Sequence, residues 1–178
     1  MLNPLIQSNK IHKVYDIFVP EWNNDRARTS MEQALTANQN NIQVAYVAND
    51  GMANAVIAAL REQKMNGKVL VTGQDATVAG IQNILTGNQA MTVYKAISKE
   101  ANATAELVAA LSHNTSTANL TQGHTTRTQD GTAIPSILET PVIVTQETIA
   151  STVLADNYLT KDQVCQDLPA GTDTHGIC

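Results

Sequence analysis

Several polar and aromatic residues fall just beyond short β-type runs, and together they have the chemistry to hold a neutral, hydroxyl-rich ligand. A run over 11–19 leads to Trp22, 44–48 to Asn49-Asp50, 69–72 to Gln74-Asp75, and 91–94 to Lys95. Carboxylates accept from hydroxyls, a carboxamide accepts and donates, an ammonium donates, and an indole offers its face to the C–H side of a ring. Ligands of open α/β sheets bind in the crevice beyond the carboxyl ends of the strands. Residues of these types at equivalent edges therefore read as half of a sugar-binding cleft. A competing reading stands beside each one. Asn49, Asp50 and Asp75 are also good helix caps, Trp22 could be core, and an aspartate near Lys95 could be a structural ion pair. Repetition at successive edges favours the cleft, because neither Lys95 nor Trp22 is needed for capping.

The elements that must position these residues alternate. The run over 11–19, rich in Ile, Val, Tyr and Phe, predicts a strand ended by Pro20, which has no N–H to give a ladder. A helix follows over 25–37, with Asn23, Asn24 or Asp25 as cap. The nearly all-apolar 44–48 predicts a strand buried on both faces of a parallel sheet. A helix over 52–63, a strand over 68–72, a helix through Leu85 capped by Asp75 or Thr77, and a strand over 91–94 complete the series. This alternation argues for an α/β, doubly wound parallel sheet, a Rossmann-like single lobe. An Ala-rich helix is expected over 97–111, then an extended Thr/Asn/Gln/Gly loop over 112–135. Beyond it come an edge strand over 136–144 broken by Pro141, a helix over 147–154 and a helical turn over 160–165. The expected organisation is one lobe over 1–160 and an irregular tail over 161–178.

Composition narrows the class. The 178 residues are 43% hydrophobic and 15% charged, the content of a globular domain with a real core. Eleven Lys and Arg scatter singly in a chain of net charge −5, so no basic face for nucleic acid is visible. No apolar run approaches the ~18 residues of a membrane span. Met1-Leu2-Asn3-Pro4 lacks the basic and apolar regions of a signal peptide, so export is not expected to be encoded in the sequence as it stands. No P-loop, dinucleotide-binding G-x-G-x-x-G or G-x-S-x-G elbow is present; Gly73 and Gly80 are too far apart for the second of these. None of the four histidines lies at a strand end. No metal, cofactor or catalytic residue is expected, and the pattern speaks against an enzyme. Cys165 and Cys178 match no redox or zinc spacing. They are either two tail thiols or a disulfide, which could contribute ~3 kcal/mol in the chain-entropy model and would point to an oxidising compartment.

Three segments carry a resemblance: MEQALTANQNNIQVAYVANDGMANAVIAAL, GKVLVTGQDATVAGIQNILTGNQAMTVYK and PSILETPVIVTQETI. In these the chain resembles the type I periplasmic sugar-binding proteins of bacterial ABC importers, from about residue 4 to about residue 160. The loop over 112–131 matches less well, and the cysteine-containing tail extends beyond the family core. The resemblance implies Trp22 stacking on a pyranose ring, with Asn49, Asp75 and Lys95 binding hydroxyls. Asp50 and Gln74 are supporting positions. It implies D-xylose or a related monosaccharide as ligand, an ABC permease as partner and an extracytoplasmic location. Members of the family close two lobes on the sugar. The chain accordingly reads as the C-terminal lobe, with weak or incomplete binding unless an N-terminal lobe or a second copy completes the cleft. The helix over 97–111 is then expected to pack on that other lobe, or to drive self-association. A sugar-sensing module signalling to a membrane histidine kinase or chemoreceptor is the alternative. A sugar-responsive repressor is disfavoured, because no helix-turn-helix segment is present.

Overall fold

The structure is a computed structural model, and it describes residues 2–178; Met1, where the leader reading begins, lies outside them. The chain forms two compact units, one running up to Val93 and again from Ile143 to Cys178, the other spanning Tyr94–Val142.

In the first unit, a short helix α1 (Asn3–Gln7) precedes the main α/β series. Helix α2 (Asn24–Ala37) is capped by Asn23, whose Oδ1 accepts from the Arg26 N–H at 2.9 Å. Strand β1 (Val44–Ala45) leads to α3 (Asp50–Glu62), β2 (Leu70–Val71) to α4 (Val78–Leu85), and α4 to β3 (Thr92–Tyr94). Strands β1 and β2 are parallel, with Val44 opposite Leu70 and Ala45 opposite Val71. A parallel bridge between Thr72 and Met91 joins β2 to the approach of β3. The mixed α/β lobe with parallel strands expected from the alternation is therefore present.

Apolar spacing explains the packing. Ala27, Met31, Ala34 and Leu35 form one face of α2, and Met52, Ala53, Val56, Ile57, Ala59 and Leu60 one face of α3. They enclose a core with Ile42, Val69 and Val71. Each fully buried Val, Leu or Ile there contributes about 1.5–3 kcal/mol. The other face of the sheet is open: Val44 is 56% exposed, Leu70 60% and Tyr46 78%. The expectation of strands buried on both faces is corrected here, because the α2–α3 layer covers one face only.

The strand expected over 11–19 does not form. Its residues join no ladder, and Ile11, Val14, Tyr15, Ile17 and Phe18 are exposed. A β-prone sequence gains little without a partner strand to satisfy its backbone groups. The expected strand over 136–144 is confined to β6 (Val142–Val144), which pairs with β3. The helix expected over 147–154 is a set of turns ending in a π-helical turn, Ala150–Leu154.

The tail is tied into this unit. Helix α7 (Lys161–Cys165) opens with a reciprocal capping box between Thr160 and Gln163. It packs against α4, and Gln82 Nε2 donates to the Gln166 carbonyl at 2.8 Å. Cys165 and Cys178 form a disulfide, with Val164 and Ile177 buried beside it.

The second unit holds α5 (Ile97–Ser112), α6 (Ala118–Thr121), and an antiparallel hairpin of β4 (Thr125–Arg127) and β5 (Ala133–Pro135). The extended loop expected over 112–135 is thus partly ordered. Its turn is shaped by Asp130, which accepts from the Thr128 hydroxyl and, at 3.1 Å, from the Thr132 N–H. Those donors hold the Asp130 carboxyl below its usual range, the Thr128 hydroxyl being the larger cause. Gly131 takes φ +88°, the positive region the tight turn requires. Helix α5 buries none of its residues, and Ile97, Val108 and Leu111 are more than half exposed.

The disulfide closes a loop between residues 13 apart in sequence. Replacing both cysteines by serine should lower stability by about 2–4 kcal/mol. Urea unfolding, followed by circular dichroism with and without reductant, checks this. The double variant should ignore reductant, and the parent should fall to the variant's midpoint.

Candidate functional site

Two turns at the carboxyl ends of β1 and β2 are joined by a backbone bond, and a further turn, Pro20–Trp22, precedes the helix whose first residue lies against one of them. That one comes first in sequence and is a 3₁₀ turn in which Glu21 and Trp22 take φ of +56° and +54°. Non-glycine residues in that region cost of order 1–3 kcal/mol each and persist only where the surroundings hold them. Trp22 is 59% exposed, so it is not core. The next residues start α2, and the Asn24 side chain lies against Gly51: a Cβ on Gly51 would sit 3.2 Å from Asn24 Oδ1. Asn24, two residues after Trp22, thus packs against the second turn, Asn49-Asp50-Gly51. That turn meets the third through a backbone bond, the Asp50 N–H donating to the Gln74 carbonyl at 2.9 Å.

Asn49 fills the capping role weighed for it. Its Oδ1 accepts from the Met52 N–H at 2.9 Å and caps α3. The cap engages the carbonyl end of the amide and leaves the NH2 end as a donor. Asp75 and Gln74 are half-buried in the third turn. The Asp75 N–H donates to the Val93 carbonyl at 2.9 Å, and its carbonyl accepts from the Tyr158 hydroxyl at 3.1 Å. Asp75 and Ala76 take φ of +94° and +48°, a second strained pair at this edge. Asp75 does not cap α4; Thr77 does, accepting from the Gly80 N–H at 3.0 Å. Lys95 follows β3 by one residue, is half-buried, and belongs to the second unit.

Asp50 does something sequence reasoning missed. It is fully buried, and its carboxylate accepts four hydrogen bonds. One oxygen takes the Gln89 Nε2 and Thr92 hydroxyl protons, both at 2.8 Å. The other takes the Thr77 N–H at 2.8 Å and the Thr77 hydroxyl at 3.3 Å. A buried charge is tolerated only when hydrogen-bonded in this way. Space for it comes from two glycines: a Cβ on Gly73 would lie 2.1 Å from Asp50 Oδ1, and one on Gly80 2.1 Å from Oδ2. The signal for this was in the sequence, as a glycine directly after a strand and another inside a short helix. Neither is explained by turn chemistry, since neither is a positive-φ position.

The family model for the periplasmic binding protein domain matches residues 4–115. The chain belongs to the periplasmic binding protein family. It is 39% identical over 167 residues to the D-xylose-binding periplasmic protein of Haemophilus influenzae, covering 92% of this chain and 48% of that protein. It is 39% identical over 158 residues to the D-xylose-binding periplasmic protein of Escherichia coli, covering 89% and 47%. The crystal structure of a carbohydrate transporter solute-binding protein from Chloroflexus aurantiacus, in complex with D-glucose, superposes with a TM-score of 0.67 at 26% identity, over 83% of this chain and 43% of that one. The chain thus spans about half the length of the relatives it matches. These relatives are periplasmic binding proteins, and no helix among the described residues of this chain is long and apolar enough to cross a membrane.

The packing of Asp50 against Gly80 gives a double-mutant cycle. Gly80→Ala should destabilise the parent by about 1–3 kcal/mol through overpacking. On an Asp50→Ala background the same change should be neutral or stabilising, because alanine is the better helix residue by about 1 kcal/mol. Urea midpoints of the four proteins measure the coupling, and equal effects on both backgrounds would remove the steric account.

Proposed function

We propose that this chain supplies one lobe of a monosaccharide site, with D-xylose as first candidate, in an extracytoplasmic solute-binding protein that delivers sugar to an ABC permease. The observation carrying the reading is the backbone bond that joins the Asn49 and Asp75 turns at the carboxyl ends of β1 and β2, with Asn24, two residues after Trp22, packed against Gly51. Trp22 presents an exposed aromatic face for a pyranose ring, Asn49 keeps amide protons for a hydroxyl, and Asp75 offers a carboxylate. Lys95 is assigned as a further hydroxyl ligand on the resemblance. The D-xylose-binding relatives supply the choice of sugar and the transport partner.

One lobe leaves part of a small ligand in water. Each missing charge-assisted hydrogen bond forfeits about 1.5–3 kcal/mol, so the chain on its own is expected to bind at millimolar concentration or weaker. A second lobe, or a second copy of the chain, would complete the cleft. The exposed Ile97, Val108 and Leu111 of α5 are the surface we assign to that partner.

Trp22 is the sole tryptophan, so its emission reports directly on the site. Titration with D-xylose should change the fluorescence, with half-saturation in the millimolar range or above. L-Arabinose should give a weaker response, and Asp75→Ala should abolish the xylose response. An unchanged spectrum at saturating sugar, under conditions where the parent unfolds cooperatively, would defeat the sugar reading. In a separate measurement, light scattering should show species larger than a monomer, and Val108→Glu with Leu111→Glu should shift them to the monomer mass.

A further inference from the structure

The polar network behind the edge has a direction. The Thr92 hydroxyl has one proton, and it is given to the Asp50 carboxylate at 2.8 Å. The same oxygen then accepts from the Ala76 N–H at 3.2 Å. Both Asp50 and Thr92 are fully buried, so no water competes for either bond. At the next residue, the Thr77 N–H goes to the Asp50 carboxylate itself. Together with the Asp75 N–H to Val93, three consecutive amides of the strained turn are anchored. Two of the three depend on one carboxylate, either directly or through a hydroxyl whose orientation that carboxylate sets. The Asp50 N–H meanwhile holds Gln74, on the other side of Asp75.

We propose that Asp50 is the positioning residue for sugar binding, its buried carboxylate holding the left-handed Asp75-Ala76 turn directly through Thr77 and indirectly through the Thr92 hydroxyl. This rests on the reading of Asp75 as a sugar ligand, and it extends that reading to a residue that touches no ligand. A carboxylate is required because all its partners donate: an amide side chain in its place would present two protons to a site already filled with protons. Core packing alone would not supply this constraint, because apolar contact is non-directional, whereas a turn with two successive positive φ values must be held by specific bonds.

The test uses Asp50→Asn, Thr92→Val and Thr92→Ser in the full chain, with two readouts. Hydrogen exchange followed by NMR should show the Ala76 and Thr77 amides exchanging at least ten-fold faster in Asp50→Asn. In Thr92→Val, Ala76 should respond more than Thr77, while amides of the α2–α3 core keep parental rates. Thr92→Ser keeps the hydroxyl and should restore both. By Trp22 fluorescence, half-saturation for D-xylose should rise at least ten-fold in Asp50→Asn and Thr92→Val and stay within about two-fold in Thr92→Ser. Parental exchange at residues 76 and 77 in either of the first two variants would overturn the proposal, as would faster exchange with unchanged sugar response. If Asp50→Asn does not fold, Thr92→Val decides alone. Should the parent show no sugar response at all, the functional reading fails, and the exchange pattern still decides whether Asp50 holds the turn.

Discussion

A single buried carboxylate organises the polar edge of this lobe. Asp50 begins α3, yet its side chain serves α4 and β3 rather than its own helix, taking protons from Thr77, Gln89 and Thr92. Residues 27 to 42 positions away in sequence are drawn to one point, and each bond has a direction that apolar packing lacks. The alternative, a carboxylate without those donors, would carry a desolvation penalty of several kcal/mol. Removing any one donor therefore threatens the others. The two glycines that make room, Gly73 and Gly80, show what the arrangement costs elsewhere: glycine inside α4 gives up about 1 kcal/mol of helix propensity.

The apolar part of the structure is less complete than the polar part. Helices α2 and α3 seal one face of the β1–β2 sheet, while Val44, Tyr46 and Leu70 stand open on the other. The segment over 11–19 likewise carries Ile, Val, Tyr and Phe into solvent. Burying each such side chain would contribute about 1.5–3 kcal/mol, so these surfaces would stabilise any assembly that covered them. The relatives are about twice as long as the region matched here.

What could be read from the sequence follows from the range of the interactions involved. The strand–helix alternation, a cap for α2 among Asn23, Asn24 and Asp25, the capping character of Asn49, and the apolar faces of α2 and α3 are local or periodic, and they are legible. The segment over 11–19 was misread because β propensity reports fitness for a sheet and not the presence of a neighbouring strand. The hairpin of β4 and β5 escapes a sequence reading because each strand has three residues, β4 is wholly polar, and neither buries a side chain. Only Asp130-Gly131 marked its turn, a signal of the hairpin type. In sequence Asp50 has the look of a cap, because aspartate next to a helix start usually is one. Its real partners are distant in sequence, so no local rule reaches them. Gly73 and Gly80 do not fit a nucleotide-binding spacing; each makes room for one oxygen of the Asp50 carboxylate.

The division of labour between Asn49 and Asp50 bears on what kind of ligand the edge suits. The adjacent residues face opposite requirements: Asn49 caps α3 with one end of a neutral amide, while Asp50 takes the formal charge inward and saturates it with neutral donors. Had the two identities been exchanged, a half-buried carboxylate would stand at the edge, and an amide with its own protons would face three donor residues in the interior. The observed order removes one negative charge from the rim and spends it on geometry. For a neutral polyol this is the favourable arrangement. Discrimination among hydroxyl patterns depends on donors and acceptors held in place before binding, because each one ordered only on binding subtracts its entropy from the affinity. On the reading proposed here, the rigidity that Asp50 gives the Asp75 turn matters most in a single lobe, where few contacts are available and none can be lost to motion.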